Sequence, residues 1–209
     1  MRRAGAAVVL LTAIVFITIV ASFARGPVWA TRVASRAVLR VSGIVVRDDP
    51  LAVLQSTLYD CGPAALATVL NVVLGHSPSV ESLMSLSGTT HAGTSLSGLT
   101  AAAERAGLRV RAMGGPLDSV TPRRLPAIAF VDDNHFVVIR SYEPDGTVLV
   151  TDPAVGTYRA PRTRLRERWS GHAMMMVPDS STSPVAAWWG RPDPNGRAKS
   201  LGCDHGANE

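Results

Sequence analysis

Cysteine is scarce here: Cys61 and Cys203 are the two thiols in 209 residues. That excludes a disulfide-rich scaffold and any four-cysteine zinc site. His76, His91, His172 and His205 have no companions at metal-ligand spacing, so no metal or other cofactor is expected. Acid is missing from residues 1–47, which carry seven arginines (Arg2, Arg3, Arg25, Arg32, Arg36, Arg40, Arg47). Of the 21 basic residues the remaining 14 face all 16 acidic ones, a balance of −2, so the net charge of +5 belongs to the N-terminal segment. A basic folded face for nucleic acid is therefore not indicated. No Gly-x-x-x-x-Gly-Lys-Ser/Thr loop occurs, so ATP binding and transport are not expected of this chain.

What is present is enough apolar material, 46% of residues, to build one ordinary domain with its own core. The N-terminus carries a different signal. Ala4 to Ala24 is an uncharged run preceded by Arg2 and Arg3, long enough to span a bilayer as a helix. It reads either as a cleaved signal peptide, with small residues at Ser22-Phe23-Ala24, or as a retained anchor; its length favours the anchor. The expected protein is thus single-pass, with the following domain extracytoplasmic, or secreted if the segment is cleaved. The arginines after the run oppose that orientation under the positive-inside rule. The expected organisation is a signal anchor at 1–25, a basic juxtamembrane linker at 26–41, a folded domain at 42–178 and a disordered Pro/Ser/Gly-rich tail at 179–209 that holds Cys203 as a free thiol.

Within the domain, Asp60–Leu74 is apolar all round and reads as a buried helix ended by Gly75. Ser79 caps a second helix, and Gly93-Thr94-Ser95 leads into a third, Leu96–Ala106, stopped by Gly107. A short strand is expected at Gly43–Val46, then strands at Leu108–Met113, Ala127–Val131, His135–Tyr142 and Thr147–Thr151, with two more around Tyr158–Ala160 and His172–Val177. Helices first and antiparallel strands after give an α+β architecture, the helices packed on one face of the sheet. Met174-Met175-Met176 reads as a core or edge strand. The run Arg159, Arg162, Arg164, Arg166, Arg168 reads as a solvated helix face or as a contact site for acidic substrate residues or anionic lipid.

Cys61 is the most informative residue. Asp60-Cys61-Gly62-Pro63 puts a thiol at the start of the buried helix, with Pro63 in the first turn where its missing N–H costs nothing. The helix dipole there favours a thiolate, and Gly62 leaves room for a substrate backbone. A thiol nucleophile needs a base, and the base an orienting group. His135 opens one strand and Asp152 closes the next, and a Pro144-Asp145-Gly146 turn joins them. A tight antiparallel hairpin brings both to the same end, within hydrogen-bonding reach. Asn134, in the turn before His135, is expected beside the substrate. Gln55, six residues before Cys61, is placed to donate to an oxyanion together with the Cys61 N–H.

These residues resemble the C39 peptidases, papain-like cysteine peptidases that process bacteriocin leader peptides. The resemblance runs from Leu54 to Val177 through four segments: Gln55-Ser-Thr-Leu-Tyr-Asp-Cys61-Gly-Pro, Gly93-Thr-Ser-Leu-Ser-Gly-Leu, Leu125-Pro-Ala-Ile-Ala-Phe with His135-Phe-Val-Val-Ile, and Val150-Thr-Asp152-Pro-Ala-Val-Gly156. It implies a papain-like fold with Cys61 as nucleophile, His135 as general base then acid, Asp152 as orienter and Gln55 in the oxyanion hole. It further implies a peptide substrate, with a double-glycine leader as the family's type, and a separate transporter as a candidate partner. Two alternatives stay open: a catalytically silent peptide-binding domain of the same fold, and another papain-like hydrolase such as a cell-wall endopeptidase.

Overall fold

A computed structural model describes residues 28–177. The expected anchor at 1–25 and the tail at 179–209 lie outside the described residues. Among the described residues no helix is long and apolar enough to cross a membrane.

The element order is α1 (Val28–Val41), β1 (Val46–Arg47), α2 (Cys61–Leu74), α3 (Val80–Ser87), α4 (Leu96–Arg105), β2 (Val110–Gly114), β3 (Ala127–Val131), β4 (His135–Tyr142), β5 (Thr147–Asp152), β6 (Gly156–Pro161), α5 (Arg162–Arg168) and β7 (Trp169–Met176). The strands form one antiparallel sheet in the order β1-β6-β5-β4-β3-β7-β2. The helix limits follow local chemistry. Gly75 ends α2 in the left-handed conformation and its N–H closes on Asn71 O. Ser79 caps α3 by accepting from Ser82 N, and Ser95 caps α4 by accepting from Gly98 N. Strands β3 and β4 begin and end where the apolar pattern places them.

The sheet is covered on both sides, which explains why β3 and β4 are nearly continuous apolar runs rather than alternating ones. One face carries Ile128, Phe136, Val138, Met174 and Met176 against α2, α3 and α4. The other carries Ala127, Ala129, Val137, Ile139, Val150, Tyr158 and Met175, closed by Leu117, Val120, Leu125, Leu165 of α5 and Leu39 of α1. The sequence pattern leads to helices on one face only. It misses the second cover because that cover is made of single anchoring leucines and valines in short segments. The three methionines belong to β7, an interior strand between β3 and β2.

Folded structure also begins earlier than residue 42. The segment expected as a basic juxtamembrane linker, at the membrane surface or as a solvated helix, is helix α1, and it is docked on the sheet. Leu39 is buried, Arg32 donates to Gln55 O and Ala154 O, and Arg36 donates to Val155 O.

Candidate active site

The site is built where the first turn of α2 meets the ends of β4 and β5. Cys61 opens α2 and is 7% exposed. Asp60 precedes it at the N-cap position, but its carboxylate does not cap the helix. It accepts instead from Ser56 N, Ser56 Oγ and Thr57 N at 3.0, 2.7 and 3.1 Å. A fully buried carboxylate with three donors folds residues 56–60 into a fixed lead-in to the thiol. In the linear pattern Asp60 marks only the helix boundary; the spacing Ser56-Thr57-x-x-Asp60 is the signal for this turn.

Val138 pairs with Thr151 across β4 and β5, which sets Asp152 beside Val137, on the same face as His135. His135 Nε2 and Asp152 Oδ1 are 2.7 Å apart. The same Asp152 oxygen accepts from Ala154 N at 2.9 Å. The Cys61 thiol is the second group acting on the same imidazole. Burial works against the imidazolium. The hydrogen bond to Asp152, then that to Cys61, and the charges of both outweigh it and raise His135 from 6.5 to about 9. Both partners therefore favour the protonated ring.

Arg168 ties this end of the sheet together. Its Nε and Nη2 donate to Asp132 Oδ2 at 2.9 and 2.7 Å, Nη1 donates to Tyr158 Oη at 3.1 Å, and Nη2 lies 3.8 Å from Asp152 Oδ2. Burial opposes the Arg168 charge, but the Asp132 hydrogen bond, with Tyr158 and Asp152, holds its pKa above the ordinary arginine value. Tyr158, buried and facing Asp152, is pushed up to about 12. The Arg168–Asp132 contact clamps the turn before His135, where Asp132 and Asp133 both adopt left-handed backbone, φ 53° and 58°. Asp132 N bonds to Arg168 O and Asp133 N to Ser170 Oγ, so this unfavourable conformation is held from outside the turn. The arginine run thus divides: Arg162 and Arg166 bind Asp118, while Arg164 and Arg168 line the cleft.

Cys61, His135 and Asp152 line one cleft of about 860 Å³, with Asn134 at its rim. His91 is also at that rim, its ring edge-on to Tyr59 with centroids 4.7 Å apart. Two expected residues stand elsewhere. Gly62 does not line the cleft; a Cβ there would meet Leu99 Cδ1 at 3.1 Å and Phe136 Cδ2 at 3.3 Å, so its glycine serves the packing of α2 on α4 and β4. Gln55 is buried and does not line the cleft either; its Nε2 donates to Thr57 O at 2.9 Å, and its Oε1 is buried without a partner. One N–H of that amide remains for another acceptor. Chemically, the set is a thiol at a helix start, an imidazole able to move a proton to and from it, and a carboxylate fixing the ring.

The model of the peptidase C39 family matches residues 51–181. An uncharacterised protein of Methanothermobacter thermautotrophicus is 34% identical over 128 residues, 61% of this chain and 89% of that protein. The pediocin PA-1 transport/processing ATP-binding protein PedD of Pediococcus acidilactici is 28% identical over 133 residues, 60% of this chain but 18% of that much longer protein. Among solved structures, the peptidase domain of Streptococcus ComA, a bifunctional ABC transporter involved in quorum sensing, superposes with a TM-score of 0.53 at 27% identity. That match covers 61% of this chain and 97% of the ComA domain. With more than half its length matched by the family model, and a thiol, imidazole and carboxylate assembled in one cleft, this chain belongs to the peptidase C39 family.

Proposed function

We propose that the chain is a cysteine peptidase that hydrolyses peptide bonds through a Cys61 acyl-thioester. The observation that carries the reading is an imidazole held by Asp152 at 2.7 Å and sharing one open cleft with the Cys61 thiol. His135 holds the proton that the thiol gives up, and Cys61 Sγ attacks the substrate carbonyl. The oxyanion is stabilised by the Cys61 N–H and the remaining Gln55 amide N–H, once Gln55 turns toward the cleft. His135 then donates its proton to the leaving amine as the C–N bond breaks. Water, deprotonated by the same ring, cleaves the thioester and restores the thiol. Asp152 keeps the imidazole oriented throughout.

The substrate class we infer is a peptide released after a double-glycine leader, as the family resemblance implies, with a separate transporter as partner. The apolar run at residues 4–24 supports a single-pass anchor, and its signal-like start after Arg2 and Arg3 supports an extracytoplasmic domain. Protease protection in sealed vesicles reads the side directly.

The test is the pH dependence of Cys61 alkylation in the full chain carrying Cys203→Ser, together with cleavage of a Gly-Gly peptide. We expect reactivity well below pH ~8.5, lost in His135→Ala, and cleavage lowered about 10⁵–10⁶-fold in Cys61→Ala. A thiol that reacts only as an ordinary cysteine, with no cleavage, overturns the reading in favour of a peptide-binding domain. Cleavage of muropeptides but not linear peptides moves it to a cell-wall endopeptidase.

A further inference from the structure

Helix α1 ends at Val41, before the family-matched segment begins at residue 51, yet it is fastened to the two loops that carry the site. We propose that Arg32 and Arg36 of α1 are positioning residues for the Cys61 site, acting through the backbone of Gln55 and of the segment after Asp152. The proposal rests on the peptidase reading above.

Three charge-assisted hydrogen bonds carry it. Arg32 Nη2 donates to Gln55 O at 2.7 Å and Arg32 Nε to Ala154 O at 3.3 Å, so one guanidinium bridges both loops. Arg36 Nε donates to Val155 O at 2.7 Å. Under this bridge Gln55 N itself donates to Pro153 O at 2.9 Å. The Gln55 backbone is thereby pinned from α1 on one side and from the Asp152 loop on the other. Nearer the thiol, Gln55 Nε2 holds Thr57 O, within the turn organised by Asp60. A chain of direct bonds thus links α1 to the residue just before Cys61 and to the residues just after Asp152.

Gly156 supplies an independent observation. It has φ +123°, and a Cβ built on it would lie 2.9 Å from Val46 Cγ1 and 3.1 Å from Arg36 Nη2. The bare glycine closing the aspartate segment leaves the space through which the Arg36 guanidinium reaches the loop. Ala34, Ser35 and Val38 of α1 also line the cleft, so the helix that holds the loops forms part of its wall.

The physical consequence is specific. The imidazole is hydrogen-bonded by Asp152, and Arg32 and Arg36 bond only to the loop backbone. Losing Arg32 should therefore leave thiol activation intact and misplace Gln55, which costs rate at the chemical step rather than substrate affinity.

The experiment compares wild type, Arg32→Leu, Arg32→Lys, Gln55→Ala and the double variant in the full chain. The probe is a Gly-Gly peptide with a fluorogenic leaving group; hydrogen exchange at the Gln55 amide is measured in parallel. Arg40→Leu, on an exposed arginine of the same helix, is the control. We expect Arg32→Leu to lower kcat about 10–100-fold with KM changed little, to be non-additive with Gln55→Ala, and to be partly rescued by Lys. The pH profile of Cys61 alkylation should stay that of wild type, while exchange at the Gln55 amide rises at least tenfold in Arg32→Leu. Unchanged exchange, or additive losses in the double variant, overturns the proposal. So does a matching fall in Cys61 reactivity, which would mean general unfolding of the site. A wild type inert toward the peptide and ordinary at Cys61 fails differently: it rejects the peptidase reading, and with it any catalytic role for α1, whatever the exchange shows.

Discussion

Two partly buried charged pairs lie along β4, and both involve a carboxylate that also holds backbone in place. His135 with Asp152 sits at the cleft end of β4, and Arg140 with Asp49 sits farther along the strand. Arg140 Nη1 donates to Asp49 Oδ2 at 2.9 Å, and the same oxygen accepts from Thr157 Oγ1 at 2.8 Å, while Leu51 N bonds to Oδ1 at 3.0 Å. Burial acts against the cation in both. At Arg140 burial wins, and the pKa is lowered despite Asp49. At His135 two partners outweigh burial and raise it to about 9. Arg140 is 7% exposed and absent from the cleft lining, whereas His135 opens on the cleft that the Cys61 thiol also lines. A buried ion pair alone is therefore no mark of chemistry. The third group and the opening to substrate make the difference.

The comparison breaks first if the two carboxylates prove interchangeable in effect. Asp152→Asn keeps an acceptor for Ala154 N but loses the charge facing His135, so kcat should fall about 10⁴-fold. The folded state should persist by circular dichroism. A loss of less than tenfold would remove Asp152 from the mechanism. Asp49→Ala should do the reverse. It leaves Arg140 buried without its acid, a loss of about 3–5 kcal/mol in denaturant unfolding, while the pH profile of Cys61 alkylation keeps its shape. A shifted profile would show that the two pairs are coupled.

The smallest effect is the pH dependence of stability. His135 has a folded pKa of about 9 against 6.5 in the unfolded chain. Its contribution is therefore complete below pH 6.5 and is lost as pH rises toward about 9, with at most about 3 kcal/mol at stake. His135→Gln should flatten that part of the stability curve. A wild-type curve already flat between these values would mean that the imidazolium is not held by Asp152 and Cys61.

Much of the site was legible because its geometry is local. The Pro144-Asp145-Gly146 turn and the two apolar strands bring the ends of one hairpin together, and His135 and Asp152 meet as that pattern implies. Ser79, Ser95 and Gly75 mark helix ends by chemistry that acts within a few residues. Gly62 was misread in its purpose, since a small residue near a thiol looks the same whether it admits a substrate or a neighbouring helix; Leu99 fills the space. Asp49 and Arg140 could not be paired from the sequence, being 91 residues apart with no motif joining them. Gln55 was placed correctly along the chain but not in direction, because its amide is turned by Thr57.

By itself, the sequence determined helices α2 to α4 and the strands, their order, and the thiol, imidazole and carboxylate that the hairpin and the helix start bring to one end. Periodicity, capping and turn chemistry operate over a few residues, and a linear reading captures them. The tertiary structure alone decided that the sheet is covered on both faces, that Arg168 clamps the turn before His135, and that α1 is fastened across the Gln55 and Asp152 loops. Those contacts join residues from 23 positions apart, as with Arg32 and Gln55, to 122, as with Arg32 and Ala154. They depend on which carbonyls the fold leaves unpaired beside a cation, and that is settled only when the chain has closed on itself.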